Sequence, residues 1–238
     1  MVPSFTTSVV PRPLKTAEAA FVAGVGVQEV NRALDDRILP TGLFRLGARE
    51  VSPMACVFIA VYFGTATMLT AQSRRMVLKG VEALLPTITM DMSREVLSNE
   101  WELLLAEKCV HMDTVSVDLR PYVEYTVAHY AQLNELQDWV VSDPAILGGA
   151  PIIKGTRIPV HDVAASFKVG HPIETILSAY PRLREEDIHR AVLYAKTSPL
   201  RGRPSGLPKA PLGMVTREDR TVLFKKICPL IGPGSDDA

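Results

Sequence analysis

The chain has 238 residues, 47% of them hydrophobic and 22% charged, and that much apolar side chain excludes a chain disordered throughout. Its 26 basic residues balance 26 acidic ones, which excludes a uniformly basic nucleic-acid binder. The charge is segregated, however: residues 1–85 carry a balance of +3, residues 86–143 of −8 and residues 144–238 of +5, two basic ends around an acidic middle.

Cys56, Cys109 and Cys228 lie far apart with no C-x-x-C pair, so neither a disulfide framework nor a zinc knuckle is expected. A reducing, cytoplasmic setting follows. The first residues lack the basic cluster and apolar run of a secretory signal. Val51 to Ser73 holds no charge, but its strongly apolar centre is only Met54 to Phe63, which fits a buried helix better than a membrane span. No phosphate-binding loop, nucleophile elbow or H-E-x-x-H motif is present. Cys109, His111 and Asp113 alternate as they would on one face of a strand. A metal-dependent enzyme built on them is one alternative; a polar strand edge is the plainer one. No cofactor and no metal are expected.

The first elements lie between Leu14 and Pro40. Thr16 can cap a helix, with Glu18 and the run Ala19 to Ala23 behind it. Gly24-Val25-Gly26 breaks it, and a second helix follows with Val27, Val30, Ala33, Leu34 and Ile38 at helical spacing. This is a helix-turn-helix in outline. Turning Val27, Val30 and Leu34 inward exposes Gln28, Asn31 and Arg32, with Arg37 just beyond. These side-chain types match adenine and guanine edges in the major groove. Thr41 to Val51 reads as a short hairpin, or wing, whose Arg45 and Arg49 would meet phosphates. TAEAAFVAGVGVQEVNRALDDRILP resembles the opening of MerR-type and excisionase-type winged domains, although Asp35 and Asp36 stand where basic residues are usual.

Beyond the apolar helix, Thr70 to Leu85 is expected as a helix. Met76, Val77, Gly80, Val81, Leu84 and Leu85 would face inward, with Arg74, Arg75 and Lys79 outward. The acidic middle should hold a helix near Ser93–Ala106 and a strand at Thr114–Leu119. A further helix opens at Pro121, carrying Val123, Val127, Tyr130, Leu133 and Leu136. Its negative balance points this region toward protein and away from nucleic acid.

Ile146 to Val160 reads as a small hairpin tipped by Gly155-Thr156-Arg157. Helices follow at about Val160–Lys168, Ile173–Ala179 and Arg184–Ala195, broken by Gly170 and Pro181. The stretch from Asp143 to Ala195 resembles a small bacterial domain of unknown function with the signature D-P-x-I-L-G-G-x-P-x-I-x-G-T-R-I-P-V. The match runs through Asp143, Pro144, Ile146 through Gly149, Pro151, Gly155 through Val160, Gly170, Tyr180, Pro181, Asp187, Ile188, Tyr194 and Ala195.

Members of that family resemble VapB-class antitoxins. The resemblance implies a homeodomain-like three-helix fold and a VapC-type PIN-domain ribonuclease as partner. Acids at Glu185, Glu186 and Asp187 would repel phosphates from the third helix, so dimerisation or partner docking is the expected role of this module. Lys154, Gly155, Thr156 and Arg157 form its motif turn, with Lys154 and Arg157 as exposed basic points or with Arg157 tying the hairpin to the helices. In the tail, Arg201-Gly202-Arg203-Pro204 resembles an AT-hook core but suits a linker better. Arg217, Arg220, Leu223, Phe224, Lys225 and Lys226 form a strip suited to folding on the toxin.

The fold class expected is mainly α with short β hairpins: an N-terminal helix-turn-helix domain plus a C-terminal homeodomain-like three-helix domain with a β hairpin. The expected divisions are 1–85 for DNA reading, 86–140 as an acidic mixed α/β connection, 141–197 as the antitoxin-family domain, and 198–238 as linker and toxin-binding tail. The functional expectation is an antitoxin, not an enzyme. It would neutralise a PIN-domain toxin, bind operator DNA as a homodimer and leave membranes alone. The alternative is a stand-alone helix-turn-helix regulator.

Overall fold

Glu18 starts the first helix by reaching back: its carboxylate accepts the Lys15 N–H at 2.9 Å. Lys15 is thereby the N-cap and Thr16 the first helical residue, one position later than a Thr16 cap would give. In this computed structural model, which describes residues 12–84, 109–112 and 115–200, a two-residue strand β1 (Leu14–Lys15) leads into α1 (Thr16–Ala23). Gly24 closes α1 in the left-handed region (φ 68°), where a side chain would be strained. A Cβ there would also lie 2.7 Å from the Tyr125 ring. After this turn comes α2 (Val27–Asp35), which buries Val30, Ala33 and Leu34.

The wing forms as expected: β2 (Phe44–Arg45) and β3 (Glu50–Val51) pair antiparallel across the turn 46–49. β3 also pairs with β1, in the register Leu14 to Val51 and Lys15 to Glu50, so the sheet order is β1-β3-β2. Ser52 then caps α3 (Pro53–Gly64) by accepting the Ala55 N–H at 3.1 Å. Every residue of α3 from Pro53 to Tyr62 is buried. A helix apolar on all sides is thus the centre of a core. Among the described residues no helix is long and apolar enough to cross a membrane.

Packed on α3, α4 (Ala71–Leu84) buries Val77, Leu78 and Val81. Met76 was expected inward but is 52% exposed, because Leu78 takes the inner position instead. Arg74, expected outward, is half-buried: it donates to the Tyr62 carbonyl at 3.1 Å and lies 4.3 Å from the centre of the Tyr62 ring. The expected helix near 93–106 lies outside the described residues. β4 (Cys109–Met112) and β5 (Val115–Asp118) form a hairpin in which Val110 faces Val117 and both join the core.

From the hairpin the chain enters the 20-residue helix α5 (Arg120–Trp139), with Pro121 in its first turn. Val123, Thr126, Tyr130, Leu133 and Leu136 are buried along it, while Val127 is only half-buried. Through Val123, Tyr130 and Leu133 this helix completes the same core that begins at Leu14.

Without an intervening loop, α5 passes into β6 (Val140–Val141), which pairs antiparallel with β7 (Ile152–Ile153). The hairpin expected over 146–160 is therefore smaller than foreseen. Ile153 donates to Ile158 and Ile152 bridges Pro159 around a tight turn, while the outer partner of β7 comes from 140–141. Three helices follow, α6 (Val160–Lys168), α7 (Ile173–Ala179) and α8 (Glu185–Thr197). They enclose a second core of Ile153, Val160, Val163, Ile176, Leu183, Ile188, Ala191 and Tyr194. The architecture is mainly α with short hairpins. α8 also touches α1 and α5, so the two cores abut.

Candidate nucleic-acid interface

Helix α2 stands beside the wing, and the two are tied by one side chain. Arg49, at the end of the wing turn and itself in the left-handed region (φ 49°), reaches across to α2. Its Nε and Nη2 donate to Asn31 Oδ1 at 3.0 and 2.7 Å. Its Nη1 and Nη2 donate to Asp35 Oδ1 and Oδ2 at 3.1 and 3.2 Å. A bidentate guanidinium–carboxylate pair is the strongest of the polar ties available at a surface. Asn31 and Arg49 thus bind each other rather than standing free.

The remaining residues expected at DNA face outward. Gln28, Arg32, Arg37 and Arg45 are exposed. Arg32 holds Asp36 one turn on, Nε to Oδ2 at 3.3 Å. An exposed pair of this kind is worth about 0.3–0.5 kcal/mol, so Arg32 is readily exchanged to another anion. Arg45 lies 3.9 Å from Glu50, which also pairs with Lys15. Arg75 of α4 donates to the Asp36 carbonyl at 3.5 Å and extends the cationic edge beyond α2. Val27, expected to face the core, is 43% exposed as the first residue of α2, ahead of the buried set Val30, Ala33 and Leu34.

A second polar cluster lies beneath α1. Glu18, 5% exposed, accepts Arg12 Nη2 on Oε1 at 2.7 Å and Arg12 Nη1 on Oε2 at 3.1 Å. Gln137 of α5 adds a donor to Oε1 at 3.3 Å. The hydrogen bond to Glu18 raises the Arg12 pKa above its ordinary value, against the opposing effect of burial. Tyr130 and Tyr194 lie close enough to feel both charges, and burial raises the pKa of each phenol. Sequence reading missed this cluster. Its one visible signal is the spacing of Lys15 to Glu18, and that speaks only of a capped helix.

In the motif turn, Gly155 adopts φ 77°, and the Thr156 hydroxyl donates to the Ile153 carbonyl at 2.8 Å while accepting the Ile158 N–H at 3.1 Å. Lys154 and Arg157 are exposed on either side. The Lys154 N–H donates to the Trp139 carbonyl at 3.0 Å, tying the turn to the end of α5.

Cys109 and His111 sit on β4 opposite Asp118 and Ser116, and Asp113 lies outside the described residues. Among the described residues no group of three His, Cys, Asp or Glu side chains is placed to hold a metal ion. Arg217, Arg220, Leu223, Phe224, Lys225 and Lys226 also lie outside the described residues.

An exposed helix pinned to a two-stranded wing, on a core that runs on into a three-helix module, defines the molecule. Residues 140–195 match the family described as "Protein of unknown function (DUF433)". The chain belongs to the family of the Sinorhizobium fredii (strain NBRC 101917 / NGR234) protein described as "Uncharacterized protein y4eO". The two are 38% identical over 215 residues, 90% of this chain and 94% of that protein. Among solved structures, the chain is similar to the X-ray crystal structure of Rv2018 from Mycobacterium tuberculosis. That match has 16% identity and a TM-score of 0.35, and covers 76% of this chain and 98% of the other.

Proposed function

We propose that this protein is the antitoxin of a type II toxin–antitoxin pair. It neutralises a VapC-type PIN-domain ribonuclease by direct binding and represses its own operon by binding operator DNA as a homodimer. The observation that carries the DNA-binding part is the pairing of α2 with the wing: Gln28, Arg32, Arg37 and Arg45 are exposed together, and Arg49 holds the two elements in one geometry. An exposed helix of this length suits a major groove, and the arginines of the wing suit the flanking phosphates. The resemblance of Asp143 to Ala195 to a family whose members resemble VapB-class antitoxins, together with the exposed Lys154 and Arg157 of its motif turn, supports the antitoxin part.

The basic and apolar composition of 217–226 supports a docking strip. An arginine from it, Arg217 or Arg220, would pair with the carboxylates that hold the nuclease's metal and so compete with the ion. Without the ion the nuclease lacks its attacking hydroxide. The protein itself performs no turnover in this reading.

Co-expression with the neighbouring open reading frame tests it. A stoichiometric complex and relief of that product's toxicity are expected, and both should be lost when the chain is truncated at Ser198. If no partner is retained while DNA binding persists, the stand-alone regulator takes its place. DNA affinity should fall steeply with salt, and Arg32→Ala combined with Arg37→Ala should lower the salt slope by about 2. Normal binding by that double variant would move the reading head elsewhere.

A further inference from the structure

The side chains of α2 fall into two rows, and the structure gives them different work. Val27, Asn31 and Asp35 form one row, a turn apart, on the side nearest the wing. Gln28, Arg32 and Asp36 form the next row outward. Arg49 occupies the lower two positions of the first row. Its two donors at 3.0 and 2.7 Å both go to Asn31 Oδ1, an oxygen with two lone pairs to offer.

Reading adenine through an amide requires the oxygen to accept N6–H while the nitrogen donates to N7. Asn31 therefore has no oxygen left for a base. Arg49 is spent in the same way: with Nε, Nη1 and Nη2 all committed, it cannot present the two parallel N–H groups that guanine requires.

Two groups on this face remain uncommitted. Gln28 is exposed, with neither end of its amide engaged by another described residue. Val27 beside it presents apolar surface to solvent, 43% exposed on a helix whose other valine and leucine are wholly buried. A free carboxamide matches the adenine edge, and adjacent methyl groups match the 5-methyl of thymine. Arg32 and Arg45 are exposed but each lies beside a carboxylate, Asp36 and Glu50, and Arg37 is exposed beyond the end of α2; in this reading all three hold phosphates, contacts that carry no base identity.

We infer that Val27 and Gln28 are the specificity-determining pair, reading a thymine methyl and a neighbouring adenine in each half-site. Asn31, Asp35 and Arg49 form a positioning brace that sets the wing against α2 and reads no base. The inference rests on the DNA-binding reading above and goes beyond it by assigning which bases are read and by which side chains.

Selection of duplexes from a random library by the full chain tests this. The wild type should enrich sites with a thymine and an adenine adjacent in each half. Gln28→Ala should lower discrimination at the adenine by about tenfold while leaving the rest of the site unchanged. Replacing the thymine with uracil, which removes only the methyl, should weaken wild-type binding several-fold and leave Val27→Ala unaffected. Arg49→Ala and Asn31→Ala should weaken all sequences alike without altering the preferred bases. Val27 and Gln28 are exposed, so their variants should keep wild-type circular dichroism and melting.

Failure of the wild type to enrich any duplex overturns the DNA-binding reading itself. Enrichment of a site whose base preferences survive Val27→Ala and Gln28→Ala overturns this inference alone. So does a change of preferred base in Asn31→Ala.

Discussion

Glu18 shows how much one side chain can be asked to do. The same carboxylate ends the orphaned N–H at the start of α1, accepts two bonds from Arg12 and one from Gln137. A buried carboxylate so supplied is stable only while its donors remain. Arg12→Ala should therefore lower unfolding free energy by about 1–3 kcal/mol in urea, with the slope of the transition unchanged. A loss below a few tenths would show that water replaces the guanidinium without cost. His161 carries a second expectation. Burial lowers its pKa, so the folded chain resists a proton that the unfolded chain accepts. The contribution is present above the ordinary imidazole value and is lost as pH falls from there toward the lower folded value. Stability measured across that window should decline with acid, and His161→Gln should flatten the decline; an unchanged profile would assign it to another group. Cys56 is wholly buried and its thiol pKa is raised by that burial, which keeps it in the neutral thiol form of a core residue.

Among the elements, those governed by local rules were legible and those governed by distant partners were not. The glycine break, the wing over 41–51, proline at the start of α5 and the three helices after 160 follow from turn chemistry and periodicity, and the structure has them at those places. Val27 misled because periodicity does not say where along a helix burial begins, and in α2 it begins at Val30. Met76 misled because Leu78 completes the inner stripe equally well. The Arg49 brace crosses 18 residues and the Gln137 bond 119, and no sequence period encodes either. Of the candidate site, the residue types were legible, but which of them bind each other was not. The turn at Gly24 gives a direct test at this scale. Gly24→Ala should cost about 1–2 kcal/mol from the left-handed backbone alone. Gly47→Ala, in open space, should cost close to nothing. Equal losses in thermal melts of the two would contradict a role for the φ at Gly24.

For the whole molecule, composition marks boundaries that packing crosses. The acidic region contributes α5 to the core that begins at Leu14, and the second core leans on α1 and α5 through α8. The unequal charge of the segments is thus a property of the surface and leaves the interior continuous. Calorimetry of the full chain should show one cooperative transition for the two cores; two resolved endotherms would mean that their shared boundary contributes little. α5 also has a mechanical consequence. It is a rod about 30 Å long. Near one end Tyr125 presses on the glycine bend ahead of α2, and at the other the Trp139 carbonyl grips the start of the 154–157 turn. In the proposed function, a toxin bound at this turn would therefore be joined through a single helix to the bend that precedes α2.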